Sequence, residues 1–87
     1  MPETYSQIIE KVKKGDTSSF RILADEFKDK AFSLIMKILK NKEESEDALQ
    51  DAFLKLYKAI SENKFEERAK LSTYFYSIVY NTAVDHY

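Results

Sequence analysis

Residues Ser45–Ile60 read SEDALQDAFLKLYKAI. Within them Ala48, Leu49, Ala52, Phe53, Leu56 and Ile60 recur at three- and four-residue spacing. That period lines one face of an α-helix, so this face is expected to be buried. Asp47, Gln50, Asp51, Leu54 and Lys58 keep the same spacing on the opposite face. Four of these are ordinary surface residues, and Leu54 is not. A leucine centred on a solvent face, flanked by acids and an amide, reads either as a stray exposed side chain or as part of a docking surface for another macromolecule.

Immediately upstream, Asn41-Lys-Glu-Glu44 has the pattern of a capping box, and Glu43, Glu44, Glu46 and Asp47 crowd the start of the helix. Acids there are stabilised by the helix dipole. Carboxylates this dense can also hold magnesium, but there is no glycine-containing calcium loop and the sole histidine, His86, is far away in sequence, so the capping role is preferred. Before it, a second helix is expected from about Thr17 to Leu39, roughly 35 Å long at 1.5 Å per residue. Its stripe is Phe20, Leu23, Ala24, Phe27, Ala31, Leu34, Ile35 and Ile38, widened by Ile22, Phe32, Met36 and Leu39. A broad apolar helix of this kind is core contacted by more than one neighbour, not a cofactor box.

Farther back, Thr4 and Gln7 form a capping-box pattern opening a short helix with Tyr5, Ile8, Ile9 and Val12 on one face. Lys11, Lys13 and Lys14 suit the negative end of its dipole, and Gly15 sits where a left-handed cap is expected. Asp16 or Thr17 can cap the next helix at once. Downstream, Ser61–Lys70 is charged and has no stripe beyond Phe65, so it is expected to be a loop with that ring tucked back onto the protein. Ser72 then caps a last helix, about Thr73–His86, with Tyr74, Phe75, Ile78, Val79 and Thr82 inward. At 100° per residue, Thr73, Tyr76, Ser77, Tyr80, Val84 and Tyr87 fall on the far side, with Asn81 at the border. Tyr76, Tyr80 and Tyr87 are then either ordinary surface rings or stacking platforms for unpaired bases.

These elements make one all-α domain over residues 1–87, a bundle of about four helices, the first short and three longer. A single glycine and a single proline leave little material for the turns of a β-sandwich. Hydrophobic residues at 44% and charged residues at 33% describe a globular domain, not a disordered tail. A net charge of −1 provides no whole-molecule attraction to nucleic acid or anionic lipid, so any such contact is local or relies on a partner's charge. The absence of cysteine excludes disulfides, thiolate metal sites and cysteine nucleophiles and suits a cytoplasmic protein. No apolar run approaches the ~20 residues needed to cross a bilayer. With one histidine and no glycine-rich loop there is no basis for an enzyme, a metal site or a cofactor.

Three segments in order resemble region 2 of a sigma-70-type RNA polymerase sigma factor, especially the extracytoplasmic-function group. KKGDTSSFRILADEF is similar to the family's opening, where Gly-Asp precedes a Phe-containing helix. NKEESEDALQDAFLKLYKAI resembles its polymerase-binding segment, with a Glu-Asp pair followed by Gln, an acid and Phe. KFEERAKLSTYFYSIVYNTAVDHY resembles the segment that melts and reads the promoter's minus-ten element, with Tyr74-Phe75, Ile78, Asn81 and Asp85 standing for the usual Trp-Leu, Ile, Asn and Asp. Each motif alone is weak; their common order over about seventy residues is specific.

The resemblance implies that Asp47, Gln50, Asp51, Leu54 and Lys58 dock on the clamp helices of the large subunit of core RNA polymerase. It implies that Asn63–Lys70 and the last helix face the non-template strand, through Lys70, Thr73, Ser77, Tyr80, Asn81 and Val84. Tyr74 takes the aromatic position that braces the upstream edge of the melted region, although its helical phase makes it at least half buried. An anti-sigma protein that masks these surfaces is a further partner of the kind the family implies. Two departures stand out. Relatives carry arginines along the last helix for phosphate contacts, whereas the outward positions here are Ser77, Tyr80 and Val84, leaving Lys70, Arg68 and Lys64. The family also continues into a helix-turn-helix domain to which nothing here corresponds, so the expectation is an excised domain or a partner that supplies the missing contacts. The alternative is a helical interaction module or regulator that docks on polymerase or another protein without reading DNA.

Overall fold

The computed structural model describes residues 5–64 and 70–87. Among them are four α-helices and no strand: α1 (Tyr5–Lys13), α2 (Thr17–Leu39), α3 (Lys42–Ser61) and α4 (Leu71–His86). Local chemistry explains the first two of their three junctions and the start of the third. Gly15 has φ +96°, a conformation open to glycine at no steric cost. There the Gly15 N–H donates to Val12 O at 2.9 Å and the Asp16 N–H to Lys11 O at 3.0 Å, the paired bonds of a Schellman cap. Asp16, and not Thr17, opens α2: its carboxylate accepts from the Ser19 N–H at 3.2 Å and from the Ser18 and Ser19 hydroxyls at 2.6 and 2.9 Å. These bonds, led by that from Ser18, hold the Asp16 carboxyl below its ordinary range.

Lys40 ends α2 in the left-handed region, and Asn41 caps α3 by accepting from the Glu44 N–H at 2.8 Å. The Asn41 half of the expected capping box is therefore formed, while the Glu44 carboxylate lies 3.8 Å from His86 Nδ1. Helix α3 runs through Ser61, one residue into the stretch expected to be loop. It closes on a second Schellman pair, Lys64 N–H to Ala59 O at 2.7 Å and Asn63 N–H to Ile60 O at 3.1 Å, with Asn63 in the left-handed region. The expectations for Thr4, Phe65 and Arg68 lie outside the described residues.

Helix α4 starts earlier than expected. Lys70 occupies the cap position without a side-chain bond, and Ser72 lies inside the first turn. Leu71 is 4% exposed, so the chain enters the helix early enough to bury it, and apolar burial outweighs the capping preference of serine.

The core takes Ile8, Ile9 and Val12 from α1, Leu23, Phe27, Ala31 and Ile35 from α2, Ala48, Ala52, Leu56 and Ile60 from α3, and Leu71, Phe75, Val79 and Ala83 from α4. Phe75 stands at its centre, stacked on Phe53 with ring centroids 5.0 Å apart and tilted against Phe27 at 5.6 Å. Helix α2 touches α1, α3 and α4, which explains its wide stripe. Two assignments fail at the edges. Ile22 is 49% exposed and Tyr5 37%, because an apolar residue is buried only where another element covers it.

Candidate functional site

On α3 the buried stripe leaves its opposite face outward. Asp47, Gln50, Leu54 and Lys58 are exposed, Asp51 is half-buried, and Leu54 keeps 58% of its surface open. Beside this face lies an apolar groove of about 450 Å³ between α3 and the first turn of α2. Phe20, Leu49, Phe53 and Tyr57 line it together with Leu54, and Glu46 and Gln50 complete its wall. Phe20 meets Phe53 and Tyr57 edge-on at 6.3 and 5.3 Å, which fixes the rings. Leu49 and Phe53, assigned to the core from their spacing, are only half-buried, and Phe20, Leu49 and Phe53 partly face this groove. A single-helix pattern does not reveal it, since Phe20 comes from a different helix.

Asp51 also belongs to a polar seam between α3 and α4. His86 Nε2 lies 3.2 Å from its Oδ2, and Lys55 Nζ lies 3.6 Å away. Lys55 donates to the buried Thr82 hydroxyl at 3.2 Å and approaches Asp85 at 3.9 Å. The Lys55–Thr82 bond and the His86–Asp51 contact carried no signal in the sequence, because they join residues 27 and 35 apart, whereas Lys55 and Asp51 are a local pair four residues apart. Pairs this exposed contribute about 0–1 kcal/mol each. Their effect is to hold the Asp51 carboxylate and the end of α4 in one arrangement.

On α4, Lys70, Thr73, Ser77, Tyr80, Asn81 and Val84 are all exposed, Tyr80 by 55% and Val84 by 48%. Tyr74 is half-buried, as its phase suggests, and Tyr87 is 89% exposed. Tyr76 corrects the expectation: it is half-buried, edge-on to Phe27 at 6.0 Å, with Lys30 Nζ 5.3 Å from its ring centroid. Burial first, and then the charge of Glu26, raise its phenol pKa. Helix α2 runs alongside α4 there, so Tyr76 is a wall residue and not a free platform. Lys64 is exposed and lies 3.3 Å from Glu62.

Among the described residues no group of three or more His, Cys, Asp or Glu side chains is placed to hold a metal ion, and no helix is long and apolar enough to cross a membrane. What the geometry offers is two outward helix faces on a buried core. Residues 23–87 match the sequence profile of Sigma-70 region 2. The chain belongs to the sigma-70 region 2 family.

Within that family, the chain is 38% identical over 77 residues to the ECF RNA polymerase sigma factor SigW of Bacillus subtilis (strain 168), a match covering 88% of this chain and 40% of that protein. It is 32% identical over 84 residues to the RNA polymerase sigma-H factor of Pseudomonas aeruginosa, covering 97% of this chain and 42% of that protein. It is 30% identical over 79 residues to the ECF RNA polymerase sigma-E factor of Escherichia coli (strain K12), covering 91% and 40%. The chain thus spans about two fifths of the length of these relatives. Among solved structures it is similar to an engineered region 2 of sigmaE in complex with GTAAAA, with a TM-score of 0.85 and 33% identity over 99% of this chain and 90% of that one. The four-helix sigma region 2 architecture expected from the sequence is the one found.

Proposed function

We propose that this chain is the promoter-opening module of an extracytoplasmic-function-type transcription initiation factor. In this reading Asp47, Gln50, Asp51, Leu54 and Lys58 of α3 dock on the clamp helices of core RNA polymerase. Lys70, Thr73, Ser77, Tyr80, Asn81 and Val84 face the non-template strand of the minus-ten element, and Tyr74, half sunk in the bundle, braces its upstream edge by packing. The observation that carries the reading is the likeness along 99% of the chain to a sigmaE region 2 held in complex with GTAAAA. The exposure of Leu54 and Tyr80, on helices whose other faces are buried, supports it.

No bond chemistry and no cofactor enter this reading. Extruding a base costs a few kcal/mol of unstacking, and stacking on an aromatic ring returns about 1–3 kcal/mol per base. Opening follows only if the surface binds the unpaired strand better than the duplex, since equal affinity for both shifts nothing. The protein then acts in the cytoplasm with core polymerase, where an anti-sigma protein covering either face would silence it. A second reading, a polymerase-docking module that does not read DNA, draws on the absence of cations among the outward residues Ser77, Tyr80 and Val84 of α4.

Fluorescence anisotropy with a labelled single-stranded oligonucleotide containing GTAAAA, at low salt, with and without core polymerase, separates the two. Binding to the single strand in preference to its duplex is expected. Polymerase binding with no DNA binding in either condition would leave only the second reading.

A further inference from the structure

Beyond Lys70 at its start, the outward residues Thr73, Ser77, Tyr80, Asn81 and Val84 of α4 carry no cation, yet a single strand lying on that face needs its phosphates neutralised. The structure assigns this role to α2. Beside Tyr76 the α2–α4 seam opens into a groove of about 200 Å³ lined by Lys30, Ser33, Leu34, Lys37 and Tyr76. At 100° per residue, Lys30, Ser33 and Lys37 fall within a narrow arc of α2. Lys30 and Lys37 are exposed, and neither is within ion-pair distance of a carboxylate among the described residues. Lys30 is held over the Tyr76 ring, with Nζ 5.3 Å from its centroid, so its position is set in advance. Tyr76 lies one helical turn from Tyr80, which places the groove next to the exposed face of α4.

We infer that Lys30, Ser33 and Lys37 form a phosphate track on α2 that carries the backbone of the single strand whose bases face Tyr80. The occupant is a phosphodiester chain for three reasons. The groove offers a hydroxyl and two cations without an ion pair among the described residues, and none of its lining residues is acidic. Its apolar floor of Leu34 and Tyr76 is narrow. Lys30 and Lys37 lie about 10 Å apart along the helix axis, the rise of about three nucleotides of a stacked strand at ~3.4 Å each. Glu26, one turn before Lys30, bounds the track; it accepts a hydrogen bond from the Tyr5 hydroxyl at 2.5 Å and repels phosphate beyond that point. The track thus moves to a neighbouring helix the charge that relatives are expected to carry on α4.

This rests on the single-strand reading above, and its test keeps the two apart. The 87-residue chain and its Lys30→Met/Lys37→Met variant are titrated with the labelled GTAAAA oligonucleotide across a salt series, each checked for unchanged helical circular dichroism. Methionine keeps the apolar stem over Tyr76 and removes only the charge. Loss of two phosphate contacts lowers the slope of log K against log salt by about 1.4 and weakens binding at low salt by about tenfold. The Lys30→Arg/Lys37→Arg variant retains binding. Lys28→Met, on the opposite side of α2 beside Asp25 at 3.6 Å, leaves the slope unchanged. Wild-type binding with an unaltered slope in the methionine variant overturns the track and spares the reading, and so does an equal loss in Lys28→Met. No binding by the wild type overturns both.

Discussion

Leu54 carries the docking reading at the level of a single side chain. It is 58% exposed at the edge of the groove formed with Phe20, Leu49, Phe53 and Tyr57, so a charge placed there meets water in the free protein and would disturb the proposed docking contact. Leu54→Glu is expected to leave the helical circular dichroism and the urea midpoint nearly unchanged while weakening a pull-down with core polymerase at least tenfold; retained capture would remove Leu54 from the interface. A second residue has a pH signature. The Tyr5 hydroxyl donates to Glu26, and that bond, with burial and the Glu26 charge, pushes its pKa from 10.0 to about 12. The phenol is held neutral in the fold, so this contribution is whole below pH 10 and is lost as pH rises through about 12. In a spectrophotometric titration at alkaline pH Tyr5 and Tyr76 should both titrate late, and Tyr5→Phe should remove one tyrosine from the late step. The sequence identified Leu54 through its phase, but the Tyr5–Glu26 bond joins residues 21 apart and no local pattern reports it.

Capping distinguishes the helices. Asp16 and Asn41 close the starts of α2 and α3 with side-chain bonds, whereas α4 begins at Lys70 with none. Lys70 already has the extended dihedrals of a cap residue, φ −65° and ψ 134°, so Lys70→Asn is expected to stabilise the protein by about 0.5–2 kcal/mol in urea unfolding. The same change removes a cation from the proposed strand-binding face and should weaken binding of the GTAAAA oligonucleotide. Stability gained with affinity unchanged would take Lys70 out of that interface. Serine at position 72 suggested a cap because capping is a local preference, while the position of the start was decided by the burial of Leu71 against other helices.

For the molecule as a whole, an 87-residue domain buries only about 60–65% of the surface its unfolded chain exposes, so its margin is small. Leu56 is fully buried between α3 and the rest of the core. Leu56→Ala should cost about 2–5 kcal/mol, enough to shift much of the population to the unfolded state, measured as a lowered denaturant midpoint. A cost below 1 kcal/mol would show that the α3 stripe is not the centre of the bundle. The sequence by itself determined the four helices, the caps at Asn41 and Gly15, a cap at Asp16 or Thr17, the main buried stripes and the outward faces of α3 and, apart from Tyr76, α4, because each depends on residues three or four positions apart. Only the tertiary structure decided that Tyr76 is a wall and Tyr80 is open, that Phe20 completes a groove beside Leu54, and that Lys30 and Lys37 of α2 flank the face of α4. Those facts depend on which helix lies beside which, and that packing is set by the shared core, whose contacts join residues far apart in the chain.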